Sequence, residues 1–428
     1  MITETLSQKF IKEKFLKSGS ILFLATLVSN IANYLYQFAM SRMMLPKDFG
    51  VLNSILSLFS IETVPVMVVG LVITRYVSQF QALQETGKLR LFLINSFRNL
   101  ILLGFFLALL IYVTRYWVAD YLKLEGTTPV IVLAIMVFFA FIFPIGTSYL
   151  QGLQRFARLG LVLSIGGLSR LVFGILLVLL GLGVSGALTA NILAFIPMIF
   201  FFYHPLMKII RIPSAETVEK HTKEILAFSI PVSLAFLGNA GIMNLDLILV
   251  KHFFSPESAG EYAAAVVLGR TILYFPGALV TAMYPMVAEA QTLQKDSYGI
   301  LKRCLVLACI LSGCSLVLFA VFPVFLIRIL FGHQYSVAGQ MLPFYALAMM
   351  ALTLSSILMQ FHLARKNFKF IYALFGVLVF EWVAIQYVHH SFKAVLCILN
   401  LSQWVMLILL GLLTFREYFR SKGEKIYG

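Results

Sequence analysis

Ser41–Gly50 reads SRMMLPKDFG, and Lys251–Gly260 reads KHFFSPESAG. Pro46 and Pro256 stand 210 residues apart, and so do Gly50 and Gly260. In a chain of 428 residues, an echo at that offset means two halves of one design. The register continues downstream, where Gln81 and Gln291 keep the offset and Pro65 and Pro276 slip by one. Gln151-Gly-Leu-Gln-Arg155 finds a weaker counterpart in Gln360-Phe-His-Leu-Ala-Arg365. At each copy of the first stretch a long apolar run stops, Pro and Gly interrupt it, and another apolar run begins. Proline blocks helix continuation and glycine permits a tight reversal, so each copy predicts a short hairpin between two helices.

Composition then names the solvent. Apolar residues make up 61% of the chain and charged residues 12%, against roughly 25% charged in soluble domains. Runs of about 20 residues with almost no charge are long enough, at about 1.5 Å per residue, to cross roughly 30 Å of hydrocarbon. Twelve such spans are expected, at 18–40, 50–74, 92–113, 130–150, 159–180, 184–203, 228–250, 261–288, 302–326, 338–361, 370–388 and 394–415. The net charge of +15 would suggest nucleic acid in a soluble protein. With the N-terminus assigned to the cytoplasm, however, 24 of the 33 Lys and Arg fall in cytoplasmic segments or the adjoining span ends and 7 in external loops. The basic excess is therefore a topology signal, with both termini cytoplasmic, and no nucleic-acid role is expected.

The expected organisation is a cytoplasmic interfacial segment at 1–17, a six-helix lobe at 18–203, a cytoplasmic linker at 204–227, a second six-helix lobe at 228–415 and a cytoplasmic tail at 416–428. Residues 1–17 are basic, with Leu6, Phe10, Ile11 and Phe15 on one side of a helix, as suits the inner membrane surface. The apolar run that follows is too long for a cleaved signal peptide. Six helices per lobe is an even number, so both lobes enter the membrane in the same orientation. A pseudo-twofold along the membrane normal follows, with a cavity on the axis. Cys304, Cys309 and Cys314 recur every five residues, share no face and form no CxxC pair, so they are expected to be packing residues. No phosphate-binding GxxxxGK[ST] and no metal-ligand histidine spacing occurs, so neither a metal nor a cofactor is expected.

The Pro46-x-x-Phe49-Gly50 turn, the Leu330-Phe331-Gly332-x-x-Tyr335 stretch and the twelve-helix, two-lobe layout resemble the polysaccharide-transport flippases. These belong to the multidrug/oligosaccharidyl-lipid/polysaccharide exporter superfamily, and the resemblance covers nearly the whole chain. It implies that helices 1, 2, 7 and 8 line a cavity opening alternately to each side. It also implies that the cargo is an oligosaccharide on a polyprenyl pyrophosphate. Arg42 matches that family's tendency to place a basic residue just before the first turn.

Candidate cavity residues follow from spacing. Asn30, Asn33, Tyr34, Gln37 and Ser41 form one polar stripe on the first span. Such groups must face protein or water, serving either sugar hydroxyls or neighbouring helices. Arg270, Tyr274, Gly277 and Thr281 repeat the spacing on the eighth span. An arginine at bilayer depth costs on the order of 3 kcal/mol or more and requires compensation. Its guanidinium fork would suit a pyrophosphate, or else an acid on a neighbouring helix. Glu62, Asp246 and Glu381 are the candidate acids, and Arg170 is the second base within a span. Two structural pairs are possible, Glu62 with Arg170 and Arg270 with Glu381. Alternatively, Glu62 meets Arg270 when one gate is closed. Asp246 is a candidate for Na⁺ or H⁺, or for the headgroup region.

The expected function is translocation of a lipid-linked oligosaccharide across the plasma membrane of a prokaryote, for surface polysaccharide assembly. Membrane lipids and polysaccharide assembly proteins are the expected partners. A cation-coupled multidrug exporter of the same superfamily is the alternative. Third comes a membrane glycosyltransferase, for which the external loops supply no concentrated acid/base site.

Overall fold

The computed structural model describes residues 2–210, 222–273, 297–365 and 367–427, together with positions 276, 283, 286, 287 and 290. Among the described residues there are helices and turns and no strands. In chain order the α-helices are α1 (Ile2–Met43), α2 (Pro46–Glu62), α3 (Val64–Ala82), α4 (Thr86–Val113), α5 (Arg115–Tyr121), α6 (Thr128–Ile142), α7 (Pro144–Gly152), α8 (Phe156–Leu177) and α9 (Gly183–Leu193). They continue as α10 (Phe195–Ile210), α11 (Thr222–Phe253), α12 (Pro256–Gly269), α13 (Ser297–Val321), α14 (Pro323–Leu330), α15 (Ala338–Ala364), α16 (Phe370–Tyr387) and α17 (Phe392–Tyr427).

The chain is an all-α, multi-pass membrane protein. Ten helical stretches among the described residues are long and apolar enough to cross a membrane, where the sequence suggests twelve spans. The difference has two sources. The expected eighth span, 261–288, lies partly outside the described residues. The fifth and sixth register as one stretch, Phe156–Tyr203, of 48 residues. That stretch would be about 72 Å long as a single helix, more than twice the hydrocarbon thickness. It turns back instead at Gly181 and Gly183, whose φ angles of 82° and 49° suit glycine. α8 and α9 consequently pack side by side.

Two other helices break where proline removes a backbone donor. α2 ends at Glu62, and the Thr63 hydroxyl donates back to the Phe59 carbonyl at 2.9 Å before Pro65 enters α3. α6 passes into α7 at Phe143, just before Pro144. Loss of the intrahelical bond and the ring clash account for both breaks.

The chain divides into two compact units. The first comprises Met1–Met44 with Leu58–Ser233, and the second Leu45–Ser57 with Leu234–Gly428. α2 therefore starts in the second unit and ends in the first. Within the first unit, α1 lies along α8. Gly160, Gly167 and Gly174 stand seven apart on one face of α8. A Cβ at Gly167 would come within 3.0 Å of the Ser29 carbonyl oxygen, and one at Gly174 within 2.6 Å of the Tyr36 ring. Small residues of this kind let helix backbones approach where lipid offers no hydrophobic drive for association. In the second unit the small residues sit on the other partner. Gly238 and Gly241 of α11 receive Leu374 and Leu378 of α16. α15 is the central helix of this unit, packing on α12, α13, α14 and α17.

The echo that divides the sequence is also a contact within the second unit. A Cβ at Gly50 would lie 2.8 Å from the Gly260 amide nitrogen, and one at Gly260 would overlap the Pro46 carbonyl. Beside this crossing, fully buried Phe49 meets Phe331 and Tyr335 edge-on, at centroid distances of 6.1 and 5.6 Å. Ser255 caps α12 by accepting from the Ser258 amide at 3.3 Å, with Pro256 in the first turn.

Candidate functional site

In the first unit the polar stripe of α1 meets the cation of α8. Arg170 Nη1 donates to Asn33 Oδ1 at 3.2 Å, and the guanidinium carbon stands 4.1 Å from the centre of the Tyr36 ring. Tyr36 is held in turn: its hydroxyl donates to the Ala187 carbonyl of α9 at 2.8 Å, and Gly174 makes room for its ring. Two buried polar atoms here have no hydrogen-bond partner among the described residues, Arg170 Nε and Gln37 Oε1. Asn30 and Gln37 are half-buried on the same face of α1. Arg42 is exposed in the last turn of that helix.

Of the arrangements left open by the sequence, the Glu62–Arg170 pair is not formed. Arg170 is compensated by an amide and an aromatic face, both weaker than a carboxylate. Glu62 is half-buried at the break before Thr63, and its Oε2 has no hydrogen-bond partner among the described residues. The first unit thus holds a cation and an acid that do not neutralise each other.

The second unit is arranged differently. Arg270 follows α12 directly and is engaged on several sides. Its Nη2 stands 3.6 Å from Asp246 Oδ1 of α11, its Nη1 donates to Asn244 Oδ1 at 3.3 Å, and its Nε donates to the Tyr345 hydroxyl at 3.3 Å. The Met243 carbonyl accepts from it as well. Asp246 is 1% exposed and also accepts from the Tyr262 hydroxyl at 2.9 Å. Glu381 of α16 is fully buried, and its Oε2 accepts from Gln403 Nε2 at 3.2 Å. The possible Arg270–Glu381 pair is not formed either, because Asp246 takes the arginine. Glu381 keeps an amide partner, an oxygen with no hydrogen-bond partner among the described residues, and Asp246 within electrostatic reach. Tyr274, Gly277 and Thr281 lie outside the described residues.

Tyr36, Tyr262, Tyr345 and Gln403 are the residues that sequence reasoning missed. Tyrosines inside apolar runs count as packing, although a buried hydroxyl demands a partner. Gln403 carried a usable signal, since a lone amide in a membrane span has to be satisfied by protein.

A separate opening of about 700 Å³ in the first unit lies at the ends of α3, α7 and α10 and the start of α8. Its lining includes Arg155, Arg158 and Lys208 with Gln81 and Gln154, and no carboxylate among the described residues. Among the described residues, no group of three or more His, Cys, Asp or Glu converges to hold a metal ion.

Helices of this length, a two-unit division and charges held at span depth define a polytopic membrane protein with polar interiors. Residues 39–340 match the family described as "Polysaccharide biosynthesis protein", and the chain belongs to that family. No curated protein matches it in sequence. Its fold is that of the MOP superfamily. It is similar to an inward-facing multidrug resistance MATE family transporter of that superfamily, with TM-score 0.79 and 13% identity over 94% of this chain and 98% of the other. It is also similar to the lipid II flippase MurJ in an inward closed conformation, with TM-score 0.68 and 15% identity over 91% and 86%. The eukaryotic MATE transporter AtDTX14 aligns with TM-score 0.63 and 15% identity over 94% and 96%.

Proposed function

We propose that this chain is a flippase that moves a polyprenyl-pyrophosphate-linked oligosaccharide across a prokaryotic plasma membrane by alternating access. Surface polysaccharide biosynthesis is the process it would serve, together with other assembly proteins. The observation that carries the reading is Arg170, a guanidinium at span depth with no carboxylate partner among the described residues, beside a stripe of amides. An anionic headgroup would complete that site, and Asn30, Asn33 and Gln37 offer the donors and acceptors that sugars require. The basic opening around Arg155, Arg158 and Lys208 would meet the pyrophosphate first, with Arg42 at the far end of α1 on its way out.

In this reading Arg270 serves cargo and coupling alternately. Buried Glu381 has Asp246 within electrostatic reach and an amide as its hydrogen-bond partner, whereas Asp246 has Arg270, so Glu381 is the acid without an ion-pair partner among the described residues. A proton or Na⁺ would neutralise it, and release of Arg270 from Asp246 toward a pyrophosphate would link ion and cargo, because the two states then differ in their contacts. Glu62, at the break between α2 and α3, is the corresponding gating acid of the first unit. Both termini lie in the cytoplasm, with 18–203 and 228–415 as the two lobes.

The same acids favour a second reading, a cation-coupled multidrug exporter. Thermal unfolding of the purified protein separates the two. A polyprenyl pyrophosphate at about 100 times its Kd should stabilise the protein by about 2.7 kcal/mol. That stabilisation should vanish in Arg170→Gln. Stabilisation by a cationic dye alone would overturn the flippase reading.

A further inference from the structure

The second unit carries an apolar groove of about 610 Å³ formed by α13, α15 and α17. Leu301, Leu305 and Cys309 line one wall, Leu358 and Leu407 the others, and Tyr298 and Tyr418 stand at one end. At that end a cation sits over the tyrosine. Arg365 Nη1 donates to the Tyr298 hydroxyl, and the guanidinium carbon lies 4.9 Å from the centre of the Tyr298 ring and 5.4 Å from that of Phe361. No carboxylate pairs with Arg365 among the described residues, and Glu417 is engaged by His362 and Asn367. An apolar trough ending in a half-buried, acid-free guanidinium has the polarity of an amphiphile with an anionic head.

We propose that this groove holds an anionic phospholipid, with an acyl chain along α13 and the phosphate on Arg365. Length argues for a phospholipid over a polyprenyl cargo. From Tyr298 to Cys309 the helix rises about 16 Å, close to one leaflet, or half of about 30 Å of hydrocarbon. The surroundings suit a headgroup, since exposed Lys302, Arg303 and Lys369 flank the same segment ends and attract anionic lipid surfaces. The Tyr298 and Phe361 rings pre-set the guanidinium plane, leaving the rest of its fork to a phosphate oxygen pair.

Native mass spectrometry of the delipidated full-length protein tests this, with phosphatidylglycerol and phosphatidylcholine of identical chains as probes. The wild type should bind phosphatidylglycerol about tenfold more tightly, because the choline ammonium of phosphatidylcholine repels the guanidinium and offsets the phosphate charge. Arg365→Gln should reduce it to the phosphatidylcholine level, and Arg365→Lys should retain part of the preference. Cys309→Trp, an exposed position on the groove wall, should weaken both lipids alike. Equal binding of the two lipids by the wild type would overturn the proposal, as would a preference that survives Arg365→Gln. Displacement of phosphatidylglycerol by polyprenyl pyrophosphate would make the groove a cargo site, and a dimer lost in Cys309→Trp would make it an interface. Either result also overturns the proposal.

Discussion

Gly260→Ala adds one methyl where α12 crosses the start of α2. The new carbon would overlap the Pro46 carbonyl and stand 2.9 Å from Pro46 Cα. Carbon atoms settle at about 3.5–4.0 Å, so this contact alone parts the backbones by about 0.6 Å, and the nearer carbonyl requires more. No rotamer relieves this, because both sides of the contact are main chain. A gap of that size forfeits about a quarter or more of each dispersion contact across it, those of Phe49 with Phe331 and Tyr335 included. Overpacking costs about 1–3 kcal/mol, and a backbone clash belongs at the upper end. Alanine returns about 0.5–1 kcal/mol through its better helix propensity, leaving a net loss of about 2 kcal/mol. Thermal unfolding of the purified variant should show a Tm lowered by about 2 °C. Gly313→Ala is the control, because a Cβ there meets nothing within 4 Å. It should be neutral or slightly stabilising. A Gly260→Ala protein as stable as Gly313→Ala would refute the close crossing.

Arg270→Ala should strip the protein from the membrane, since orphaning buried Asp246 costs about 3–5 kcal/mol. Adding Asp246→Asn should restore most of the abundance, measured by fluorescence size exclusion, and adding Glu381→Gln should not. Arg170→Lys keeps the charge but loses the planar fork and the ring contact. It should leave abundance near wild type and reduce transport about tenfold or more, roughly one charge-assisted hydrogen bond. In a background lacking the four native cysteines, a cysteine at Arg158 should resist an impermeant external thiol reagent and one at Lys123 should react. The opposite pattern would invert the topology.

The 210-residue echo made the matching helix breaks before Pro46 and Pro256 legible, because proline and glycine punctuation needs no tertiary context. What it could not convey is that its two copies touch, since a repeat specifies equivalence and contact depends on how helices cross. The break at Pro65 has the same local cause, a proline inside an apolar run. Charge pairing was not. Asp246 lies nine residues before Ser255 and Arg270 fifteen after it, or about 13 and 22 Å along their helices. Counting depth by residue rise separates two groups that a long guanidinium side chain brings together. Glu62 and Arg170 illustrate the converse, a match in depth that the helix faces do not honour. The tyrosines that satisfy Asp246 and Arg270 read as apolar until a buried partner gives their hydroxyls a purpose.

The most direct test is transport itself. The purified protein is reconstituted into liposomes with a fluorescent polyprenyl-pyrophosphate oligosaccharide in both leaflets, and an impermeant quencher is added outside. A flippase predicts quenching that proceeds past the outer-leaflet half toward completion, with the lipid's mass unchanged and the rate cut in Arg170→Gln. Quenching that halts at half in intact liposomes, with the folded wild type present, would contradict the account.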